Sequence, residues 1–426
     1  MKKLVSAILT TAVAAGAFCA CTPESPPLDP PKVVTTGEPV AVNIKELSTE
    51  DQDLYRKAYL NASFELMKRQ LGGDQNVMIS PASIMIALSM TEAGAAGETR
   101  QQMASLWGGT GDDGELNFAS ELLKRLNESS GVSMHAADSI WLNEDNLTGY
   151  IKSEYVDFVK EYYDAEINSL KFDDTGVKRI NSWVSEKTDE MINEIVKKFD
   201  PDTAMVLINA IAFDGKWRDQ YEDYAVREEE FTNSDGTKVK ANLMYGSEDA
   251  FLENDNATGF IKYYEGGQYA FVVMLPKDES QSADEFLTSF TGDDFDKFIN
   301  SASYEYEVHT KLPEFKYDYE QNLNDTLRDM GMVQAFEDMG ADFTGIASLP
   351  EGYNLYISKV IHKTHIDLDR NGTRAAAVTA VMMDVAGAVD PSSIQVKEVN
   401  CDRPFAYAIV DMTDNTPVFI GTVNNM

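Results

Sequence analysis

Histidine is the residue type in this chain best suited to acid–base or metal chemistry, and it occurs at four positions: His135, His309, His362 and His365. None of them belongs to an H-E-x-x-H motif or to a Cys/His cluster with metal-binding spacing. His362 and His365 lie three residues apart in a strand-like segment, so their side chains point to opposite faces of the strand. The G-x-S-x-G and S-x-x-K signatures of serine hydrolases are also absent. The sequence therefore predicts no metal site, no cofactor and no enzymatic activity.

One polar residue interrupts the most apolar run of the chain. Residues 204–217 (AMVLINAIAFDGKW) are nearly all apolar, which is typical of a strand buried on both faces of a sheet. Asn209 lies in the middle of this run. Because a buried amide must find hydrogen-bond partners, we expect Asn209 to bond to a neighbouring element.

The segment 366–390 combines a strand pattern with side chains small enough to enter a sheet. Alanine-rich rows usually favour a helix, but this row lacks long apolar residues at helical spacing. In a strand, alternate residues share one face, and we call each alternate set a parity. One parity of this row is small or apolar throughout: Thr373, Ala375, Ala377, Thr379, Val381 and Met383. The other parity holds Arg374, the one charged residue of the row, and could face solvent. We interpret the segment as a strand slim enough to slip between other strands, followed by a bare loop at 384–393.

The hydrophobic pattern of the rest of the chain predicts a scaffold for these residues. Ser80-Pro81 begins a helix, because proline is favoured in the first helical turn. Further elements follow the periodicity, with helices at 50–70, 150–163, 176–197, around 283–300 and at 321–331, and strands at 76–79, 132–142, between 239 and 275, at 303–312, 353–366 and in a C-terminal hairpin. No internal repeat and no linker occurs after residue 48. The pattern predicts one large domain of mixed α/β (α+β) class.

The composition supports a large core and excludes several kinds of partner. The chain has 426 residues, of which 43% are hydrophobic, so it can bury a sizeable core. Its formal net charge is −35, from 71 acidic and 36 basic residues. Such a charge argues against nucleic acid as a partner, and against a polybasic site for glycans or membrane surfaces.

The N-terminus has the pattern of an export signal. Two lysines precede an apolar run at 4–18, which is short for a membrane span. The run ends in Cys-Ala-Cys and resembles a bacterial lipoprotein signal, with Cys21 as the lipidated residue because the residue before it is small. We expect a signal peptide at 1–20 and an exported protein, lipid-anchored in the bacterial cell envelope at the outer membrane, periplasmic or surface-exposed. The alternative is a plain secretory signal with ordinary cysteines.

A proline-rich stretch separates this signal from the domain. Residues 21–47 are predicted to be a tether, extended and without a core of its own. If Cys21 carries the lipid, Cys401 is the one thiol left in the domain. A single thiol cannot form an internal disulfide, so we expect the fold to depend on its hydrophobic core.

Four stretches resemble the serpins, in the serpin order and at the serpin spacing. They are NVMISPASIMIALSMTEAGAAGETRQQM (76–103), LINAIAFDGKW (207–217), VIHKTHIDLDRNGTRAAAVTAV (360–381) and RPFAYAIVDMTDNTPVFIGTVNN (403–425). The resemblance covers residues 48–426. It implies a serpin fold with three β-sheets, about eight to nine helices and an exposed reactive-centre loop.

The resemblance also implies roles for single residues. Asn209 and His362 match a polar pair at the opening of the main sheet, the shutter, with Ser80 and Ser83 beneath it. Trp217 matches the tryptophan of the breach, where the loop first enters the sheet. The hinge of the loop matches a run of mostly small residues: Gly372, Thr373, Arg374, Ala375, Ala376, Ala377, Val378 and Thr379.

The mechanism implied by the resemblance is that of a suicide substrate for serine proteases. The protease cuts the loop, and the cut loop inserts into the main sheet as a new central strand, a known case of strand addition. Counting from the hinge places the scissile bond at Ala386-Gly387, with Val385-Ala386 as the alternative. Small aliphatic residues there favour elastase-like or subtilisin-like proteases, with cysteine proteases as further candidates.

Two arginines depart from the serpin pattern, in which the corresponding positions are usually acidic. Arg374 falls on the outward parity, so insertion should tolerate it. Arg370 is expected to pair with an acid of a neighbouring strand, Glu305 or Glu307.

The sequence also bears on heparin binding and on self-association. Residues 112–128 contain few basic side chains, so we expect no heparin binding, and we expect the protein to act as a monomer.

The alternative function is a non-inhibitory serpin that binds a ligand or another protein. Bulky, charged or proline residues on the inward parity of the hinge would favour that alternative, and this sequence has none there.

Overall fold

The computed structural model describes residues 31–73, 75–200, 203–373 and 395–426, without the side chains of 135–137. These residues contain four β-sheets and ten α-helices. The class is mixed α/β, as the sequence predicts. The helices are α1 (Thr49–Lys68), α2 (Pro81–Glu92), α3 (Gly97–Ser105), α4 (Gly114–Asn127), α5 (Glu144–Leu147), α6 (Ser153–Tyr163), α7 (Asp174–Lys187), α8 (Ala283–Ser289), α9 (Gly292–Ile299) and α10 (Asn324–Asp329).

The strands alternate with these helices along the chain. They are β1 (Val33–Val34), β2 (Met78–Ile79), β3 (Val132–Asn143), β4 (Ile151–Lys152), β5 (Glu166–Leu170), β6 (Met205–Lys216), β7 (Val226–Thr232), β8 (Lys238–Glu248), β9 (Ala250–Glu253), β10 (Ala257–Tyr263), β11 (Tyr269–Pro276), β12 (Tyr306–Pro313), β13 (Phe315–Asn322), β14 (Lys359–Asp369), β15 (Gly372–Thr373), β16 (Gln395–Asn400), β17 (Phe405–Asp411) and β18 (Thr416–Val423).

The main sheet has the strand order β13-β14-β15-β6-β3-β5. Its long strand β6 is buried at nearly every position, as the apolar run predicts. This strand pairs antiparallel with β3 and in parallel with β14. The parallel ladder extends from the pair Val206–Lys359 to the pair Ala212–His365. Beyond that point the two-residue strand β15 lies between β6 and β14.

Three further sheets complete the domain. A second six-stranded sheet has the order β2-β18-β17-β11-β10-β9, and every residue of β11, β17 and β18 is buried. A four-stranded sheet has the order β16-β12-β8-β7, and β1 pairs with β4 in a small two-stranded sheet. The apolar helix α2 is buried along its whole length and contacts both the main sheet and β18. It begins as predicted, with Pro81 in the first turn and the Ser80 hydroxyl accepting from the Ser83 N–H.

Two predicted helices end or begin elsewhere in the structure, and the strand predicted at 353–366 begins only at Lys359. The helix predicted at 176–197 ends at Lys187, because Asp189 and Glu190 have positive φ angles of 48° and 61° that no helix continues. The helix predicted at 321–331 is shorter, since β13 continues to Asn322 before α10 begins. Hydrophobic periodicity placed both helices but did not locate their ends.

The expected tether is described from residue 31 onward, and this part contacts the domain. Val33 and Val34 pair with β4, and Val40 and Val42 pack against the hydrophobic core. The Glu154 side chain at the start of α6 accepts from two backbone N–H groups of this segment. Residues 31–47 therefore do not behave as the uncored spacer that their proline content suggested.

Candidate functional site

The shutter residues meet where β6 and β14 lie side by side. The parallel register places Asn209 opposite His362, and both side chains are fully buried. Nε2 of His362 accepts a hydrogen bond of 3.1 Å from the backbone N–H of Ser80, and its Nδ1 bonds to Oδ1 of Asn209. Because Nε2 accepts, the proton of the neutral imidazole is on Nδ1, and Asn209 is the acceptor. The predicted polar pair therefore connects two strands and the start of α2.

A third strand contributes an acid that the sequence analysis missed. Asp138 of β3 lies opposite Asn209 in the antiparallel register. Its Oδ1 accepts from Nδ2 of Asn209 at 2.7 Å and from the Ser83 hydroxyl at 2.9 Å. Nδ2 of Asn209 also contacts the Ser83 hydroxyl. The signal that could have identified Asp138 is its position as an acid inside the strand predicted at 132–142.

Burial shifts the ionisation of both titratable groups in this network. It lowers the pKa of His362 to about 3, so the imidazole is neutral at physiological pH. Burial raises the pKa of Asp138 to about 7, although the hydrogen bonds from Ser83 and Asn209 act in the opposite direction. The shutter therefore contains one group, Asp138, that changes charge near neutral pH.

The breach is built around Trp217, which directly follows β6. Its side chain is fully buried and stacks on Tyr264, with ring centroids 4.5 Å apart. Its indole Nε1 donates to the backbone oxygen of Asp369 at 2.9 Å, and its backbone N–H donates to that of Asn371 at 2.9 Å. Trp217 thus holds the turn that leads from β14 into the hinge.

The first two hinge residues form β15 and already lie inside the main sheet. Thr373 pairs with Leu368 of β14 on one side and with Gly215 of β6 on the other. The Thr373 side chain is buried and its hydroxyl bonds to the hydroxyl of Tyr264 at 2.7 Å. Gly372 packs so closely on β6 that a Cβ there would overlap the carbonyl oxygen of Gly215. These contacts explain why the hinge begins with glycine and a small residue.

The partner predicted for Arg370 is wrong. The Arg370 guanidinium pairs with Asp223, and both side chains are largely exposed. Glu307 instead contacts His309, at 3.1 Å. The reason is that Arg370 lies in the turn between β14 and β15, next to the short 3₁₀ turn at Asp223–Ala225, whereas the strand that follows Glu305 belongs to the four-stranded sheet.

Several predicted site residues lie outside the described residues. They are the hinge residues Arg374, Ala375, Ala376, Ala377, Val378 and Thr379, the loop residues Val385, Ala386 and Gly387, and the lipidation candidate Cys21. Within the described ranges, no group of three or more histidine, cysteine, aspartate or glutamate side chains could hold a metal ion. No helix in those ranges is both long and apolar enough to cross a membrane.

Comparison with known proteins agrees with this geometry. A family model described as serpin (serine protease inhibitor) matches residues 57–426. An uncharacterized serpin-like protein of Methanosarcina mazei is 30% identical over 429 residues, covering 98% of this chain and 97% of the relative. The chain therefore belongs to the serpin family. Members of this family are generally inhibitors of proteases rather than enzymes.

Solved serpin structures show the same fold. The crystal structure of the thermophilic serpin tengpin in its native state has a TM-score of 0.81 at 37% identity, covering 90% of this chain and 96% of that one. The latent state of tengpin has a TM-score of 0.75 at 35% identity, covering 90% of this chain and 100% of that one.

Proposed function

We propose that this serpin inhibits serine endopeptidases as a suicide substrate, through cleavage of its reactive-centre loop and insertion of the cut loop into the main sheet. The observation that carries the proposal is β15. Gly372 and Thr373 are hydrogen-bonded between β14 and β6, at the place where an inserted strand would begin. Insertion would extend this short strand and would need no new point of entry.

The register of β15 supports a specific position for each hinge residue. If the cut loop continued this register residue by residue, Arg374 would lie between Asp367 of β14 and Asp214 of β6. Five residues further, Thr379 would lie between His362 and Asn209. The inserted strand would therefore pass through the shutter with a small hydroxyl side chain, and Arg374 would meet two acids. Both features favour insertion over the alternative of a non-inhibitory binding protein.

The free energy of insertion can be judged from the ladders involved. A strand of about ten residues between β6 and β14 would form about twenty backbone hydrogen bonds, and opening the parallel ladder would remove about seven. At roughly 1 kcal/mol net for each bond, the gain is on the order of 10 kcal/mol. This is comparable to the stability of many whole domains, so it is large enough to distort a bound protease.

The target class follows from the loop sequence. Val385, Ala386 and Gly387 offer only small aliphatic side chains around the proposed scissile bond. Elastase-like and subtilisin-like proteases accept such residues, and these are the proposed targets, with cysteine proteases as further candidates. The protein would act as a monomer in a one-to-one complex with the protease.

A denaturing gel tests the proposal directly. The protein is mixed with elastase, subtilisin, trypsin and papain, and complexes that survive detergent are counted. We expect such complexes with elastase or subtilisin, together with a released C-terminal fragment that begins at Gly387 or Ala386. Cleavage of the loop without any stable complex would refute inhibition and favour the non-inhibitory alternative.

The proposed location rests on the N-terminal sequence alone. An exported protein anchored by lipid on Cys21 would meet extracellular or periplasmic proteases at the cell envelope. Incorporation of labelled palmitate into the expressed full chain tests this, with Cys21→Ser as the variant that should lose the label. Equal labelling of both chains would exclude Cys21 as the site.

A further inference from the structure

A cavity lies on the outer face of the main sheet, over the ladder between β6 and β14. Residues 188–200, which we call the α7 extension, cross this face before the chain enters β6. Together with α7 they cover β6 through a hydrophobic cluster that is separate from the main core. They leave β14 partly uncovered, since Lys359, Ile361 and Lys363 on this face are only half-buried. The cavity is the resulting gap, with a volume of about 390 Å³.

The floor of the cavity is apolar and includes residues of both strands of the ladder. Val206 of β6 and Ile361 of β14 line it, and Val206 is fully buried. Ile195, Val196 and Phe199 of the α7 extension form the apolar wall. All five residues belong to the hydrophobic cluster under α7 or pack against it. The size and the lining fall within the range of small-molecule sites in proteins.

The charged lining residues are mainly basic, in contrast to the chain as a whole. Lys197, Lys198 and Lys359 line the cavity with a single acid, Glu320. Glu320 is also contacted from outside the lining by Lys363, at 3.2 Å. The chain has 71 acidic and 36 basic residues, so this lining reverses the charge balance of the molecule. The larger cavity beside the four-stranded sheet follows that balance, with four lining acids and two lysines.

Two of the lysines lie close to each other. Nζ of Lys359 is 2.8 Å from the carboxylate of Asp200, which does not line the cavity. Lys359 and, to a smaller extent, Lys198 hold the pKa of the Asp200 carboxyl below its usual value, so both ammonium groups are near it. With Asp200 and Lys363 included, four lysines face two acids. The cavity therefore combines an apolar floor with an excess of positive charge.

We propose that this cavity binds an amphiphilic anion, namely the carboxylate form of a medium-chain fatty acid. The carboxylate would accept hydrogen bonds from the ammonium groups of Lys198 and Lys359. The alkyl chain would cover Val206, Ile361 and Phe199 and would remove their exposed apolar surface from water. A purely apolar ligand would leave the lysines without a partner, and a small anion would leave the apolar floor in contact with water.

The position of the cavity connects binding to insertion of the loop, and this consequence rests on the proposed function. Val206 and Ile361 belong to the two strands that must separate, and both lie within the parallel ladder. A ligand in contact with both strands favours the closed sheet, because it loses contacts when the ladder opens. We expect a bound fatty acid to lower the yield of stable protease complex while the loop is still cleaved.

Three eight-carbon probes test the predicted chemistry of the ligand. Octanoate, 1-octanol and octylammonium share the alkyl chain and differ in charge, and each is titrated into the full chain by calorimetry at neutral pH and matched ionic strength. We expect octanoate to bind with a Kd of about 1 mM or tighter, and the other two probes at least tenfold more weakly. Equal or tighter binding of the alcohol or the amine would overturn the proposal, as would the absence of saturable octanoate binding.

Variants of the lining locate the site. Lys198→Gln should weaken octanoate binding about threefold or more, the effect of one partly screened charge. Ile361→Thr keeps the branched shape but makes the floor less apolar, and it should weaken octanoate binding by a similar factor. The matched control is Lys238→Gln, which removes an exposed lysine of β8 and should leave the affinity unchanged. Unchanged affinity in both lining variants would exclude this cavity as the site.

Complex formation with the protease tests the consequence separately. Saturating octanoate should lower the yield of detergent-stable complex in the wild type, and Lys198→Gln should need a higher octanoate concentration for the same effect. An unchanged yield with octanoate bound would refute the link to insertion. If no complex forms even without octanoate, the proposed inhibitory function fails, whereas the calorimetric titrations still decide whether the cavity binds the fatty acid.

Discussion

Replacing Asp138 with asparagine should make the closed main sheet less sensitive to pH. Asp138→Asn keeps a carbonyl oxygen that can accept from the Ser83 hydroxyl and from Asn209, but it removes the ionisable group. The pKa of Asp138 is raised by burial to about 7, from an ordinary value of 3.8. The native state therefore holds this proton more tightly than the unfolded state, so the contribution of Asp138 to native stability falls as the pH rises from about 4 to about 7.

The size of the effect follows from the shift. From pH 5.5 up to the native pKa of about 7, the unfolded state has lost this proton and the native state keeps it. Over these roughly 1.5 pH units the wild type loses about 2 kcal/mol of stability, at 1.36 kcal/mol for each unit. Asp138 also borders a small cavity of about 140 Å³, whose water would reduce this figure. Unfolding a chain of this size has an entropy of about 0.8 kcal/mol per kelvin, so the expected change in unfolding temperature is about 2 °C.

Differential scanning calorimetry at pH 5.5 and pH 8 measures the effect. We expect Asp138→Asn to gain about 2 °C more over the wild type at pH 8 than at pH 5.5. The matched control is Asp338→Asn, which removes an exposed carboxylate and should give the same difference at both pH values. A temperature difference between Asp138→Asn and the wild type that does not change with pH would refute the assignment of a neutral carboxyl to the shutter.

Three further changes test other parts of the structure. Thr373→Arg puts a charge into the buried position between β14 and β6, and it should convert the inhibitor into a substrate on detergent gels. Arg374→Glu should lower the yield of stable complex, because cross-strand like charges disfavour pairing, whereas the turn variant Arg370→Glu should leave the yield unchanged. Burial and the nearby Glu115 hold the pKa of Glu92 well above its usual value, so Glu92→Gln should raise the unfolding temperature at pH 8 with little effect near pH 4.5. Equal gains of Glu92→Gln at both pH values would contradict that ionisation.

Sequence patterns located the strands of the site better than its contacts. The apolar run around Asn209 predicted a buried strand in need of a polar partner, and the family resemblance paired it with His362. Both expectations agree with the register of β6 and β14. The sequence did not indicate Asp138, because a single acid in a strand is usually solvated. Only the pairing of β3 with β6 brings this side chain to the shutter.

The sequence could not predict contacts made at turns. Arg370 pairs with Asp223, which is far away in the chain and lies in a 3₁₀ turn without hydrophobic periodicity. Periodicity describes how one element faces the core, and it carries no information about which element lies opposite.

The polar character of the shutter suits the function we propose better than an apolar pair would. An apolar contact between β6 and β14 would be replaced by equivalent packing once a strand of small residues lay between them. Hydrogen bonds are directional and short in range, so the one that links His362 of β14 to Asn209 of β6 stabilises only the closed sheet. The bonds that Asp138 accepts from Asn209 and Ser83 lie on the other side of β6 and can persist in the open sheet. An inserted Thr379 at this level would separate His362 from Asn209 and could offer its own hydroxyl to either one. The network would thus hold the sheet closed before cleavage and would still leave the open sheet with few unpaired polar groups.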